Sequence, residues 1–334
     1  MANILLTEKC VRSCPYCFAK QHMDNAFPDD ILTWDNLIYI ADFLQASGVN
    51  TMSLLGGEPF LHPEITEFIL YLHSRNFHVS VFTSGIFVDN DKYELFKKKI
   101  KSIPNIRLSF ICNVNDPKKT SKLELKKVCQ FLYDFSYMIT LSFNIYRTDF
   151  DLSFLFNYII SYGLNRNIRF GVAHPTPGQK NYYIPPEKFY LMKDQFLSFT
   201  PYFEKYNIVP GLDCGFPMCI FSDEELGKLY KLSEGKLKFE CGPAIDIGMD
   251  MMVWGCFPLS EYYKKSLYEF ESINNVIDFY RNKMEIIRKE AGGIYTQCDT
   301  CHHRKTGLCS GGCIAHIMNN IMLEEPCRQT IKND

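Results

Sequence analysis

The sequence has almost no net charge, and it lacks the sequence features of membrane and exported proteins. Its 334 residues carry 36 lysines and arginines against 38 aspartates and glutamates, a net charge of -2. No apolar run reaches the length of about 18 residues that a spanning helix needs. Residues 1–7 are too short for a signal peptide and have no basic flank. The sequence therefore predicts a cytoplasmic protein without a nucleic-acid or membrane partner.

The chain also lacks internal repeats and low-complexity segments, so ordinary folded domains account for its length. Over roughly the first 200 residues, strand patterns alternate with helix patterns. Six strands are predicted, at residues 2–7, 51–55, 78–83, 106–110, 138–143 and 168–172. This alternation is typical of parallel strands with outer helices, and it predicts an α/β fold, a partial (β/α)6 TIM-like barrel.

Cysteine, in contrast, is abundant, with 14 residues. In a reducing cytoplasm these thiols are not expected to form structural disulfides. They are grouped in clusters with few histidines nearby, which favours iron–sulfur at least as much as zinc. We therefore predict residues 1–205 as the barrel, 206–240 as a bridging region and 241–334 as a Cys-rich C-terminal iron–sulfur extension.

The first cluster comprises Cys10, Cys14 and Cys17, in the loop that follows the first predicted strand. In a parallel α/β barrel the chemistry lies in such loops, at the carboxyl ends of the strands. Three thiolates can hold three irons of a [4Fe–4S] cube and leave the fourth iron open for another ligand. The alternatives are a zinc knuckle and a redox pair formed by Cys14 and Cys17.

Two motifs in the first two strand–loop units resemble those of the radical S-adenosylmethionine (SAM) enzymes. The first is the C-x3-C-x2-C spacing with an aromatic residue, Tyr16, before the last cysteine. The second is Gly56-Gly57-Glu58-Pro59 at the end of the second strand. Glycines let the backbone approach a ligand closely, and Glu58 offers a carboxylate to an ammonium group. The resemblance implies that this strand end receives the amino group of SAM.

Weaker similarities follow in the next strands. Thr83 and Ser84 end the third strand where relatives often carry Thr-Asn, while Ser109 and Asn144 occupy positions that relatives use for SAM. The alternative for each is a polar residue that caps the next turn. The resemblance implies that SAM binds the open iron and is reductively cleaved to methionine and a 5′-deoxyadenosyl radical, with Tyr16 near the adenine.

Seven further cysteines resemble the SPASM extension, which carries two auxiliary [4Fe–4S] clusters and so implies three clusters in all. The residues are Cys241, Cys256, Cys298, Cys301, Cys309, Cys313 and Cys327. One auxiliary cluster would be held by Cys298, Cys301, Cys309 and Cys327. The inner one, nearer the barrel, would be held by Cys241, Cys256 and Cys313. The alternative is one structural zinc on Cys298, Cys301, Cys309 and Cys313.

By this resemblance the inner cluster is one thiolate short. Cys214 and Cys219 lie upstream, in a turn between the barrel and the extension. We predict that one of them, with Cys219 ahead, supplies the missing ligand. The alternatives are that Cys219 is a catalytic hydrogen donor to the substrate, or that both thiols are inert parts of a hydrophobic plug.

The resemblance implies a peptide or small-protein substrate, modified by cross-linking or side-chain oxidation, and a reducing partner such as flavodoxin or ferredoxin. The first strand begins at residue 2, which predicts that no leader-binding domain precedes it. Phe257 stands where sulfatase-maturing relatives carry an aspartate, which disfavours that activity. The alternatives are a small-molecule epimerase or dehydrogenase, for example on a sugar, and a non-catalytic iron–sulfur scaffold.

Overall fold

One mixed sheet runs through the described part of the chain. The computed structural model describes residues 2–27, 29–213 and 215–324. Its strands are β1 (Ala2–Leu5), β2 (Thr51–Leu55), β3 (His78–Thr83), β4 (Leu108–Asn113), β5 (Ile139–Ile145), β6 (Asn167–Val172), β7 (Val209–Leu212), β8 (Asp246–Ile247), β9 (Met252–Trp254) and β10 (Lys265–Ser266). The sheet order is β10-β9-β8-β1-β2-β3-β4-β5-β6-β7. Strands β1 to β7 are parallel, which confirms the predicted α/β partial barrel.

The first eight α-helices of the described residues lie between consecutive parallel strands, and the remaining four follow β7. The helices are α1 (Lys20–Asn25), α2 (Trp34–Ala46), α3 (Ile65–Ser74), α4 (Asn90–Lys101), α5 (Lys122–Asp134), α6 (Ser153–Tyr162), α7 (Phe189–Leu197), α8 (Thr200–Tyr206), α9 (Asp223–Leu232), α10 (Ile273–Ala291), α11 (His302–Lys305) and α12 (Ile314–Glu324). Local signals fix their ends: Thr33 caps α2 through its hydroxyl, and α6 ends at Gly163 in the left-handed conformation. Within the described residues, every helix is too short or too polar to cross a membrane.

The two faces of the parallel strands differ in burial. On β4, Leu108, Phe110 and Cys112 are buried, and Phe110 packs against aromatic rings of the helical layer such as Phe131. The alternate residues of β4 point to the other face and are only half-buried. On the same face, Ser53 of β2 and Ser142 of β5 are fully buried, so this inner face is only partly exposed.

The structure corrects the predicted strand count. A seventh parallel strand, β7, pairs with β6 and lies in the region that the sequence assigned to a bridge. The pattern hid it because Pro210 and Gly211 occupy half of this four-residue strand. Proline is tolerated at a sheet edge, and β7 is the edge of the described sheet. Strand β8 pairs in parallel with β1, so the extension continues the sheet of the barrel.

Candidate active site

The loop that carries the first three cysteines is held by the end of β2. The backbone N–H of Gly57 donates to the carbonyl of Thr7 at 2.8 Å, and the N–H of Glu58 donates to the carbonyl of Lys9 at 2.8 Å. A Cβ at Gly56 would lie 2.3 Å from the carbonyl oxygen of Thr7, and one at Gly57 would lie 2.0 Å from that of Lys9. The structure thus gives these glycines a role in the close approach of the cysteine loop.

The three thiols of this loop lie together and are partly buried. Burial raises the pKa of Cys10 to about 11 and that of Cys17 to about 12, and the charge of Cys14 acts on both in the same direction. Thiols with raised pKa values are protonated at neutral pH, whereas metal ligation requires thiolates. Loading of this site must therefore release protons.

Glu58 is a buried carboxylate that the predicted strand-end residues surround. It is 1% exposed and accepts hydrogen bonds from the hydroxyl of Thr83 at 2.7 Å, from the backbone N–H of Ser84 at 2.8 Å and from the Ser84 hydroxyl. It also caps the short helix that begins at Pro59. Burial raises the pKa of Glu58, and these hydrogen bonds oppose the rise. The partners named here are uncharged, so the carboxylate suits an ammonium group as a further partner.

A cavity of about 320 Å³ opens beside the cysteine loop, at the carboxyl ends of β4 and β5. Its lining includes Cys14, Tyr16 and Asn144, three residues that the sequence assigned to the site. The ring of Tyr16 stacks on Tyr146 at 4.8 Å, and its hydroxyl lies 3.2 Å from the Oδ1 of Asn115. The volume is within the range of small-molecule sites, and the aromatic wall suits a planar base.

Arg12 anchors the cysteine loop, a role that sequence reasoning missed. Its Nε donates to the carboxylate of Glu124 on α5 at 2.7 Å, and its NH1 donates to the carbonyl of Asn113 at the end of β4 at 2.7 Å. The Arg12 side chain is only 8% exposed. A cation between the first two cysteines was the available signal, but its partner is brought near only by the fold.

The loop between β6 and α7, residues 173–188, connects the cysteine loop to the extension. The backbone N–H of Tyr182 donates to the carbonyl of Pro15 at 3.0 Å. Asn181 donates to the carbonyl of Tyr16 at 3.4 Å. At its other end, the Tyr295 hydroxyl of the extension donates to the carbonyl of Pro186 at 2.8 Å. This loop therefore contacts both the cysteine loop and the extension.

Ser109 lies away from this edge. Its hydroxyl is 3.0 Å from that of Ser80 and 3.3 Å from the Nε2 of His78, near the amino ends of β3 and β4. The cysteine loop leaves the carboxyl end of the parallel strand β1. This placement argues against the predicted SAM contact of Ser109. Asn113 is the polar residue that ends β4 at the cysteine-loop edge.

In the extension, one small cavity is lined by four cysteines. They are Cys219, Cys298, Cys301 and Cys309. Burial raises the pKa of Cys219 to about 11, and the nearby charges of Cys309, Cys298 and Cys301 raise it further. This differs from the expectation that Cys219 belongs to the inner set. Cys214 and Cys327 lie outside the described residues, so their predicted roles remain predictions.

A second thiol pair forms the inner set. Cys241 and Cys313 are hydrogen-bonded, which together with burial raises the pKa of Cys241 well above its ordinary value. Arg288 of α10 binds both segments, donating to the carbonyls of Gly312 at 3.2 Å and Cys241 at 3.4 Å. Cys256, the third cysteine predicted for this set, follows β9.

In the residues that the structure describes, no group of three or more His, Cys, Asp or Glu side chains is placed to hold a single metal ion. Structural zinc needs four ligands at about 2.0–2.3 Å from one centre. In a [4Fe–4S] cube each thiolate binds a different iron. Thiols around a common cavity are a donor set that suits an iron–sulfur cluster.

Comparison with known proteins places the first of these motifs in a family. Residues 4–112 match the family model of the radical SAM superfamily. This part of the chain is a radical SAM domain. The chain is 35% identical over 100 residues to an S-adenosylmethionine-dependent nucleotide dehydratase of Selenomonas ruminantium, covering 29% of this chain and 35% of that protein. It is 26% identical over 194 residues to the antilisterial bacteriocin subtilosin biosynthesis protein AlbA of Bacillus subtilis, covering 52% of this chain and 42% of that protein.

The fold likeness extends further than the sequence likeness. SuiB of Streptococcus suis, solved with bound S-adenosylmethionine, superposes with a TM-score of 0.64 at 13% identity, covering 100% of this chain and 77% of SuiB. SuiB bound to the precursor peptide SuiA superposes with a TM-score of 0.63. The chain thus spans less than half of each of the two sequence relatives but shares its whole length with the SuiB fold.

Proposed function

We propose that this protein is a radical SAM enzyme that abstracts a hydrogen atom from a peptide or small-protein substrate. The observation that carries the proposal is the cavity of about 320 Å³ next to the cysteine loop of the radical SAM domain. Cys10, Cys14 and Cys17 would hold the first [4Fe–4S] cluster and leave one iron open for SAM. The cavity adjoins Cys14, so a SAM molecule on that iron would extend into it.

The residues of the site have distinct tasks in this scheme. Glu58 would bind the ammonium group, and the stacked rings of Tyr16 and Tyr146 would pack on the adenine. Asn144 offers an amide to the nucleoside, and Arg12 keeps the cysteine loop in place. When bound, SAM and the reduced cluster supply a radical that takes a hydrogen atom from the substrate, and auxiliary clusters supply an acceptor for the remaining electron.

Support for a peptide substrate comes from the comparisons. SuiB, which shares the fold over the whole chain, has been solved with a precursor peptide, and AlbA belongs to bacteriocin biosynthesis. The product would be a cross-linked or oxidised peptide, and a flavodoxin or ferredoxin would deliver the electron.

The test is SAM cleavage by the anaerobically reconstituted protein with a chemical reductant. Wild-type protein with about twelve irons, three cubes of four, should form 5′-deoxyadenosine. The triple variant Cys10→Ala, Cys14→Ala, Cys17→Ala should keep about eight irons and form none. Cys129→Ala, outside every motif, is the matched control. Iron binding without 5′-deoxyadenosine in the wild type would instead identify a non-catalytic scaffold.

A small-molecule substrate is the second candidate, because one relative is a nucleotide dehydratase. The two classes are separated by deuterium transfer. If the substrate is a peptide encoded by a short reading frame beside the gene, the carbon-deuterated peptide should transfer deuterium to 5′-deoxyadenosine. The unlabelled peptide should lose the mass of two hydrogens. Transfer from deuterated nucleotides or sugars, with none from any peptide, would overturn the peptide assignment.

A further inference from the structure

Two distant segments of the chain meet at the four-cysteine cavity of the extension. Cys219 lies in a short helix, Met218–Ile220, between β7 and α9. The other three thiols, Cys298, Cys301 and Cys309, come from the segment between α10 and α12. Pro217 and Met218 line the same cavity, so residues 217–219 face these thiols.

Two glycines lie directly against the thiols of this cavity, Gly293 beside Cys298 and Gly311 beside Cys309. A Cβ at Gly293 would lie 2.5 Å from the Sγ of Cys298, so only glycine leaves that thiol its place. The backbone N–H of Gly311 donates to the Sγ of Cys309 at 3.4 Å, as backbone N–H groups do to cluster-bound sulfur.

His303 gives an independent sign of a missing partner. It lines the cavity, and its Nδ1 is buried without a hydrogen-bond partner among the described residues. Buried polar atoms are almost always satisfied, and an exception points to an unseen water, ion or group. A cluster sulfide or thiolate in the cavity would supply that partner.

We propose that Cys219 supplies the fourth thiolate of the outer auxiliary [4Fe–4S] cluster, together with Cys298, Cys301 and Cys309. The inference rests on the proposed function only in that auxiliary clusters exist. It assigns Cys219 to the other cluster from the one that the sequence suggested, and it predicts that Cys327, which lies outside the described residues, is not a ligand of this cluster. Cys219 is exposed whereas Cys298 and Cys309 are buried, so its iron would be the one nearest the surface.

The experiment compares single variants of the full chain, reconstituted anaerobically and studied by iron analysis, Mössbauer spectroscopy and EPR. Cys219→Ala should lose one to four of about twelve irons, all from one auxiliary cluster. Cys219→Ser should keep the iron count and shift the spectrum of that cluster, because an alkoxide replaces a thiolate. Cys327→Ala and the control Cys129→Ala should leave every cluster signal unchanged.

The variants also separate this inference from the proposed function. Full iron and an unaltered spectrum in Cys219→Ala and Cys219→Ser would overturn the inference and leave the function intact. Loss or alteration of the outer cluster in Cys327→Ala would overturn it as well. Wild-type protein that holds one zinc and only about four irons would overturn the auxiliary clusters themselves, while its SAM cleavage would still test the radical SAM site.

Discussion

The barrel and the extension both gather cysteines, but they do so in opposite ways. In the barrel, Cys10, Cys14 and Cys17 stand in one loop after β1, and the chain needs no distant segment to bring them together. In the extension, Cys219 meets Cys298 only because two remote segments fold onto each other. A local site is readable as a spacing, whereas a distributed site can be recognised only in the folded structure.

The two regions differ in how closely their segments approach each other. The cysteine loop of the barrel is anchored by Arg12 and also by the backbone N–H groups of Gly57 and Glu58, at a contact that has no room for a side chain. In the extension one side chain, Arg288, binds the segments of Cys241 and Gly312. The barrel loop should therefore be sensitive to added bulk, and the extension to the loss of one guanidinium.

The largest expected effect is that of Gly57→Ala. The new methyl group would lie 2.0 Å from the carbonyl oxygen of Lys9, so the cysteine loop must move. We expect loss of about four irons and of 5′-deoxyadenosine formation, with the auxiliary clusters retained. Iron analysis and Mössbauer spectra measure this. The control is Gly227→Ala in α9, where no atom lies within 4 Å and stability should rise by up to about 1 kcal/mol. Equal iron in both variants would contradict the role of close approach.

Arg288→Met makes the reciprocal change in the extension. It removes charge-assisted hydrogen bonds to the carbonyls of Cys241 and Gly312. We expect auxiliary-cluster iron to fall and the free energy of unfolding to drop by about 2–3 kcal/mol, with the SAM cluster unaffected. Arg281→Met is the matched control, because Arg281 lies exposed on the same helix and pairs with the exposed Asp278. Loss of SAM-cluster iron in Arg288→Met would show that the two regions do not load independently.

Glu58→Gln tests the barrel site without added bulk. The variant keeps the shape of the side chain but removes the charge proposed to meet the ammonium group. We expect the Kd for SAM to rise about 10- to 100-fold, the equivalent of a charge-assisted contact of about 1.5–3 kcal/mol. Calorimetry on reconstituted protein measures it, with Glu67→Gln on the surface of α3 as the control. Unchanged affinity would reduce Glu58 to a cap of the turn.

Asp246→Asn tests the seam between the regions and should have the smallest effect. Asp246 in β8 is 4% exposed and accepts a hydrogen bond from Asn3 of β1 at 2.8 Å. Burial raises the pKa of this carboxyl to about 7. The folded state therefore binds a proton that the unfolded state releases, and stability falls as pH rises from about 4 to about 7.

The Asn variant lacks that ionisation, so its gain over the wild type should grow across the same pH range and level off above it. We expect about 1–3 kcal/mol at pH 8 and little at pH 4.5. Thermal unfolding of both proteins across this range, under anaerobic conditions, measures the difference. A gain that does not vary with pH would show that Asp246 is not the titrating group.

The sequence predicted the elements whose signals are local. Six strands were found from their patterns, and the site motifs at Cys14 and Glu58 were predicted from their resemblance to motifs of a known family. β7 was missed because Pro210 and Gly211 disguise a strand that is stable only as an edge. Its short length leaves no periodicity to detect.

What the sequence could not predict depends on tertiary contacts. The partner of Arg12 is Glu124, more than a hundred residues away, and no spacing links them. Ser109 was placed at the SAM edge, but β4 begins at Leu108, so Ser109 lies at the wrong end of the strand. Cys219 was assigned to the inner cluster because that cluster was one cysteine short. Its neighbours, the cysteines that line the same cavity, become apparent only in the folded structure.

The contact between Gly57 and the carbonyl of Lys9 has a consequence for how this protein can diverge. Two segments separated by two helices, α1 and α2, share a surface with no room for a side chain. A change in the backbone path of either segment is tolerated only if the other segment accommodates it. Substitutions in the two segments should therefore be accepted together during evolution. An exchange by recombination should therefore keep residues 9 and 57 in the same block. A chimera joined at residue 30 should retain less SAM-cluster iron than one joined at residue 58.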